Sequence, residues 1–223
     1  FSEIAGSSQP DLFIMLGLSH QGFPTCISSQ DWETPLGIIK NDDSFSKLIS
    51  KETSIDIDEG PHNEEHSIEV MLPFLQYIYR KDPAALEGLR ICPIIIGHDN
   101  GFMQFSDKIS SIINSTDKKV IFIVSSDFTH YGYNYNYFPF TDNIKKNLYS
   151  LDKKAIDLIL KGDSDAFLRY IEETQATICG RYPIAALLRS IKIKEASLLK
   201  YYTSGDISGD YSSAVGYASI VFR

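Results

Sequence analysis

Three short and almost uninterrupted apolar runs constrain the fold of this chain more than any other feature of its sequence. They span residues 11–17, 89–97 and 119–124, and glycine or serine ends or follows each of them. Runs of this length, rich in β-branched residues, predict buried strands. Because consecutive residues of a strand point to opposite faces, an apolar strand must be covered on both faces, which is typical of a largely parallel sheet.

Helical patterns separate these apolar runs and continue after them. Apolar residues recur at helical spacing in five segments, which are residues 66–81, 102–113, 144–159, 164–173 and 182–191. Pro73 is expected either to kink the first of these helices or to mark its true start, and Gly162 is expected to close the third. Strands that alternate with helices predict an α/β fold, an αβα sandwich with a central, mostly parallel β-sheet.

The C-terminal part of the chain has a different pattern. Residues 197–203 and 215–222 predict two strands, and the turn-rich residues 203–210 between them are interpreted as a hairpin loop. The chain has 223 residues, of which 43% are apolar and 22% are charged, as is ordinary for a globular protein. One domain over residues 1–223 is therefore the expectation, since chains split into domains mainly beyond about 250–300 residues.

Charge and cysteine content exclude several classes of protein. The net charge of −8, without a basic run longer than two residues, argues against nucleic-acid binding. The longest apolar runs are far shorter than the roughly 20 residues of a membrane-spanning helix. Three cysteines are too few for a disulfide framework and indicate a reducing compartment, so the cytoplasm is predicted. The chain begins at Phe1 rather than Met, so its true N-terminus is expected to lie further upstream.

Three of the five histidines directly follow predicted strands, which are His20, His98 and His130. Ligands of open α/β sheets bind at the carboxyl ends of strands, which makes His20 and His130 candidate functional residues. His98 precedes an Asp-Asn-Gly turn and is interpreted as a surface residue. His130 also lies three residues after Asp127, so that a carboxylate and an imidazole could share a site. The alternative is that Asp127 caps a turn or a short helix.

The other two histidines, His62 and His66, are four residues apart. Zinc proteases require His-Glu-x-x-His, and Asn63 stands where the catalytic Glu would be. The pair could still supply two metal ligands. The alternative is the start of a helix in which Glu64 and Glu65 interact with the helix dipole. These two residues belong to an acidic group between residues 56 and 65 that is interpreted as a solvated loop.

Cys179 precedes a predicted helix that has Pro183 in its first turn. A position at the N-terminus of a helix lowers the pKa of a thiol and favours the thiolate, which is both a metal ligand and a nucleophile. The alternative is a buried structural cysteine. That interpretation fits Cys26 and Cys92 better, because Cys92 lies inside a predicted strand.

Four segments, in this order along the chain, resemble the signature segments of the Memo family. They are GLSH at residues 17–20, EHSIE at 65–69, SSDFTHYG at 125–132 and TICGRYPI at 177–184. The resemblance extends to WETPLG at residues 32–37 and YSSAVGY at 211–217, and so covers nearly the whole chain. Family members usually carry a further strand segment before the first motif. We therefore expect this chain to lack that segment and its sheet to have an exposed edge near residues 17–20.

The resemblance implies a fold similar to that of class III extradiol dioxygenases, which are non-haem iron enzymes. It also implies His20, His66 and Cys179 as metal ligands. His130 matches an acid/base histidine of the family site, and Asp127 matches a residue that lines the same pocket. Two imidazoles and one thiolate suit Fe(II), Cu or Zn, and three protein ligands leave a position open for chemistry.

Three functions are compatible with such a site. The first is a metal-dependent oxidoreductase with dioxygenase-like chemistry. The second is a non-catalytic signalling module that binds a small molecule or a phosphopeptide in the same pocket. The third is a metal-dependent hydrolase in which His130 or Asp127 acts as the base. Because fold does not determine activity, the choice among them depends on the site itself.

Overall fold

The computed structural model describes residues 1–7 and 9–223, which form two compact units, Phe1–Ser125 and Ser126–Arg223. Each unit has its own sheet and its own helices. The single domain expected over residues 1–223 stays a prediction.

The strands of the first unit form a mostly parallel sheet, as predicted. They are β1 (Leu12–Leu18), β2 (Cys26–Ile27), β3 (Trp32–Thr34), β4 (Gly37–Asn41), β5 (Arg90–Ile96) and β6 (Val120–Val124). The sheet runs in the order β3-β4-β5-β1-β6, and β2 pairs with β5 outside this path. The β1–β5, β1–β6 and β4–β5 pairs are parallel, whereas β2–β5 and β3–β4 are antiparallel. The three apolar runs of the sequence form β1 and its two parallel neighbours, β5 and β6.

The helices of the first unit connect these strands. They are α1 (Ser2–Ala5), α2 (Asp43–Thr53), α3 (Glu59–Glu64), α4 (Leu72–Tyr79), α5 (Pro83–Glu87) and α6 (Asn100–Asn114), with a 3-10 turn over Glu69–Met71. The helix predicted from residue 66 therefore begins at Leu72, with Pro73 in its first turn. This confirms that Pro73 marks a start, because proline lacks the N–H group that the helix interior requires.

Helices cover both faces of this sheet. On one face, Phe13 and Met15 of β1 pack in one cluster with Leu72 and Leu75 of α4. On the other face, Cys92 of β5 contacts a serine of α2 at 3.4 Å, and α2 packs against α6. All seven residues of β1 are buried. The fold is thus an αβα sandwich with a central, mostly parallel sheet, as the apolar runs predict.

Strand β6 ends the path of this sheet in the described part of the chain. It pairs with β1 only as far as Leu16, and each of its five residues is partly exposed. The missing N-terminal strand segment and the open edge expected near residues 17–20 stay predictions.

The second unit contains the predicted C-terminal strand pair. Its elements are β7 (His130–Gly132), α7 (Ile144–Leu160), α8 (Ser164–Thr174), α9 (Arg181–Ser190), β8 (Ala196–Thr203), α10 (Ser204–Ser208) and β9 (Ser213–Phe222). The strands pair antiparallel in the order β7-β9-β8. The β8–β9 connection is more ordered than a simple loop, because Thr203 and Asp206 form a capping box that starts α10.

Gly162 follows α7 with a positive φ of 72°, as expected for the residue that closes a helix. No helix in residues 1–7 and 9–223 is long and apolar enough to cross a membrane.

Candidate functional site

His20 lies two residues beyond the carboxyl end of β1, where the sequence predicts a ligand-binding residue. Its backbone N–H donates to Oε2 of Glu65 at 2.8 Å. Its Nδ1 lies 2.9 Å from Oε1 and 3.1 Å from Oε2 of the same carboxylate. The backbone and the ring of His20 are thus held by one side chain that comes from 45 residues further along the chain.

His66 lies in the connection after α3, next to His20. The two imidazole rings stack almost parallel, with centroids 4.8 Å apart and an interplanar angle of 4°. The segment is tied to β1 by the hydroxyl of Ser67, which donates to the carbonyl of Leu18 and accepts from its N–H, both at 3.2 Å. A Cβ on Gly17 would lie 2.6 Å from Ile68 and 2.7 Å from Ser67, so the strand and the segment meet without room for a methyl group.

Glu65 organises this cluster. Its side chain is only 2% exposed, whereas the side chains of His20 and His66 are 43% and 65% exposed. Besides the bonds from His20, its Oε1 accepts the backbone N–H groups of His66 at 2.9 Å and Ser67 at 3.0 Å. Burial raises the pKa of Glu65, but the hydrogen bonds from His20 and Ser67 outweigh it and keep the pKa below its usual value.

The donor set of this cluster fits a metal ion. Potential ligand atoms of His20, Glu65 and His66 lie within 4.8 Å of one another. The carboxylate is already occupied by three backbone N–H groups and an imidazole, so it acts best as the group that orients His20. With Nδ1 of His20 donating to Glu65, its Nε2 carries the lone pair that a metal requires.

Glu65 was missed by sequence reasoning, which placed it in a solvated loop. That interpretation is wrong for Glu65, because its carboxylate is buried among N–H donors. The available signal was its position immediately before His66 in the EHSIE segment. The helix-start alternative for Glu64 and Glu65 is also wrong, since α3 begins at Glu59 and ends at Glu64.

Two further histidines of the sequence, His62 and His98, lie in other environments. His62 is buried in α3, with its ring edge-on to Trp32 at 5.8 Å, and burial lowers its pKa. Because α3 ends before His66, the two histidines are not on one helix. His98 is exposed between β5 and α6, as interpreted from the sequence.

In the second unit, Cys179 lies just before the N-cap residue of α9, Gly180. Its Sγ accepts the backbone N–H of Asp127 at 3.1 Å. The predicted low thiol pKa is wrong. Burial raises the pKa of Cys179 and the nearby Asp127 charge adds to that, and the hydrogen bond from Asp127 offsets them only in part. The raised pKa favours the protonated thiol at this position.

His130 and Asp127 are close neighbours, and the functional site that one of the two sequence interpretations gives them stays a prediction. The Nε2 of His130 lies 3.8 Å from Oδ2 of Asp127. His130 does not lie in the loop after β6, however, but begins β7 and pairs with Val215 of β9. Its ring is edge-on to Tyr135, with centroids 5.0 Å apart.

A buried carboxylate supports the segment that carries these two residues. Asp152 of α7 accepts the hydroxyl of Thr129 at 2.5 Å and its N–H at 3.3 Å. Its other oxygen accepts the hydroxyl of Tyr201 at 2.6 Å. Burial raises the pKa of Asp152. A Cβ on Gly216 would collide with this carboxylate, so the close approach of β9 requires glycine.

The structure thus forms two clusters from the predicted residues. In the first unit, His20 and His66 lie next to Glu65. In the second unit, Asp127 contacts both His130 and Cys179. The mostly parallel sheet and the histidine–carboxylate cluster define an α/β protein with a candidate metal centre.

The chain belongs to the Memo family, because the family model described as Memo-like protein matches residues 1–221. A MEMO1 family protein of Desulfurococcus amylolyticus is 39% identical, over 100% of this chain and 75% of its own length. A MEMO1 family protein of Methanopyrus kandleri is 35% identical, over 100% of this chain and 76% of its own length. One from Sulfolobus acidocaldarius is 38% identical, over 96% and 72% respectively.

Proposed function

We propose that this Memo family protein is a metal-dependent enzyme with oxidoreductase-like chemistry. The proposed ligands are His20, His66 and Cys179, and the proposed acid/base group is His130 assisted by Asp127. The ligand set follows the family resemblance, and its chemistry suits Fe(II), Cu or Zn.

One observation carries the proposal, which is the bond between Nδ1 of His20 and the buried carboxylate of Glu65. Metal-binding histidines almost always donate their second ring nitrogen to a carboxylate or carbonyl, which fixes the tautomer and raises the basicity of the ligand nitrogen. The exposed His66 ring stacked on His20 places a second imidazole beside the first.

A bound metal would supply Lewis acidity and, if it is iron or copper, electron transfer. The chain's own residues supply the remaining steps. His130 is the proposed proton-transfer group and acts through Nε2, and the partly exposed carboxylate of Asp127 lies 3.8 Å from that atom. Cys179, with its raised pKa, would release its proton on binding a cation.

The test is elemental analysis of protein purified without chelator and without an affinity metal. Wild type, Cys179→Ser and His20→Asn are compared, with the exposed His98→Gln as the matched control. We expect near-stoichiometric metal in wild type and in the control, and loss of tight binding in the other two variants. Unchanged metal content in Cys179→Ser would remove Cys179 from the ligand set and, with it, the proposal as stated.

The same proteins separate the alternative functions. An oxygen-consumption screen of the iron- or copper-loaded protein tests the oxidoreductase. Activity with Zn(II) alone, against ester or phosphoester probes, would favour the hydrolase instead. If neither wild type nor variants bind Fe(II), Cu(I) or Zn(II) under anaerobic conditions, the ligand- or phosphopeptide-binding module replaces both.

A further inference from the structure

We infer that Thr177 is a positioning residue that holds His130 in the tautomer with its proton on Nδ1, so that Nε2 is the nitrogen that exchanges protons. The catalytic consequence rests on the proposed function, but the tautomer itself does not.

Thr177 and His130 are joined by three hydrogen bonds, although they are 47 residues apart in the sequence. The backbone N–H of His130 donates to Oγ1 of Thr177 at 2.9 Å. The same hydroxyl donates to the carbonyl of His130 at 2.6 Å. The Nδ1 of His130 lies 2.9 Å from the backbone carbonyl of Thr177. Side chain and main chain of Thr177 thus hold both the backbone and the ring of the histidine.

The third bond determines the tautomer. A carbonyl oxygen can only accept a hydrogen bond, so a ring nitrogen at 2.9 Å from it must carry the proton. In the neutral ring, Nε2 then holds the free lone pair. This nitrogen faces the carboxylate of Asp127 at 3.8 Å, and the His130 side chain is 20% exposed.

The surroundings of both residues make this arrangement rigid. Ala176 and Ile178, on either side of Thr177, are 1% and 2% exposed. On the other side, Thr129 is fully buried and bound to the Asp152 carboxylate. A shift of one segment along the other would break the three bonds between Thr177 and His130, so the carbonyl stays opposite Nδ1.

The two parts of Thr177 have different roles. Its carbonyl sets the tautomer, and its hydroxyl keeps that carbonyl in register by binding both polar backbone groups of His130. Valine in place of Thr177 keeps the shape of the side chain but removes the hydroxyl. Serine keeps the hydroxyl and removes only a methyl group. The pair therefore separates hydrogen bonding from packing.

The experiment is 15N NMR of histidine ring nitrogens in the whole protein, at a pH of about 8.5, two units above the pKa of an ordinary imidazole. The His130 signals are assigned by their absence from His130→Gln. We expect the wild-type ring to give a protonated Nδ1 and an unprotonated Nε2. A wild-type ring protonated at Nε2 overturns the inference, whether or not any variant folds.

In Thr177→Val we expect the tautomer ratio of His130 to move about two- to tenfold toward protonated Nε2, the change that one neutral hydrogen bond supports. Thr177→Ser should keep the wild-type ratio. Thr116→Val is the matched control, because its hydroxyl donates only to the carbonyl of Ile113 in α6 of the first unit, at 2.9 Å. An unchanged ratio in Thr177→Val would refute the positioning role of the hydroxyl. The NMR readout needs no turnover, so failure of the proposed enzyme leaves this test intact.

Discussion

The buried carboxylate of Glu65 binds His20 at two points, at its backbone N–H and at its ring Nδ1. A single side chain therefore fixes both the position of this histidine and its tautomer. The same carboxylate accepts the N–H of His66, so both imidazoles of the candidate metal centre are positioned by one residue. Glu65 should accordingly matter to metal binding nearly as much as a ligand does.

Glu65→Gln is expected to weaken metal binding by about 10- to 100-fold, because the amide has one acceptor oxygen where the carboxylate has two. Zn(II) titration by calorimetry measures the effect without redox side reactions. Glu64→Gln is the control. The Glu64 side chain is exposed beside Glu65, and its substitution removes the same negative charge. Equal losses in the two variants would mean that only net charge matters.

Gly17→Ala is expected to destabilise the protein by about 1–3 kcal/mol, the usual effect of overpacking a filled site. The new methyl group would push against Ser67 and Ile68, the two residues that follow His66. We expect a lower guanidinium midpoint together with weaker Zn(II) binding. Gly6→Ala is the control, because a Cβ there meets nothing closer than 3.7 Å. A lower guanidinium midpoint without any change in Zn(II) affinity would mean that the packing of β1 does not influence the metal centre.

Asp42 is expected to make stability depend on pH. It caps α2 and accepts a 2.6 Å bond from Lys118, and although burial raises its pKa, these bonds lower it more. A lowered pKa gives stability that is complete above the unfolded value of about 3.9 and is lost as the pH falls through the folded value. Asp42→Asn keeps the cap and removes the charge. It should lose about 1 kcal/mol at pH 7, since Lys118 is partly exposed, and match wild type in acid.

The control for Asp42 is Asp43→Asn, which removes an exposed i,i+4 pair with Lys47. That variant should lose no more than about 0.5 kcal/mol. Chemical denaturation at a series of pH values provides the comparison. A difference between Asp42→Asn and wild type that does not shrink as the pH falls below the unfolded value of about 3.9 would contradict the ion-pair explanation.

Asp152 should show the opposite dependence on pH, because burial raises its pKa. A raised carboxyl pKa gives stability that is complete below the unfolded value of about 3.9 and declines as the pH rises through the folded value. The advantage of wild type over Asp152→Asn should therefore shrink with rising pH. Asp152→Ala should lose at least about 2 kcal/mol at any pH, because it leaves the Thr129 and Tyr201 donors unpaired. Asp157→Asn, exposed on the same helix, is the control.

The strands of the first unit could be predicted from the sequence because their pattern is local. A strand that is apolar throughout leaves few alternatives, and β1, β5 and β6 fall within two residues of the predicted runs. Pro73 indicated a possible start of α4 for the same reason, because the effect of its missing N–H group is confined to the first helical turn. The family motifs likewise indicated His20 and His66, which the structure brings together.

Other features depend on partners that are distant in sequence, and no local pattern predicts them. In the sequence, Glu65 cannot be told from its acidic neighbours. It differs from them because its carboxylate accepts backbone N–H groups, one of which belongs to the distant His20. The thiol pKa of Cys179 was predicted from its place before α9, whereas burial determines its direction. The position of His130 in β7 depends on its pairing with Val215 of β9, which is distant in the sequence.

Strand β1 is paired on both edges as far as Leu16 and none of its residues is exposed, so its amides should be among the last to exchange with deuterated solvent. His20 follows this strand by only two residues. Local unfolding of elements other than β1 would therefore leave the backbone of His20 in place. Residence of a bound ion would then be limited by the opening of the Glu65 segment rather than by unravelling of the sheet, and deuterium labelling of residues 65–67 with and without Zn(II) would give that rate.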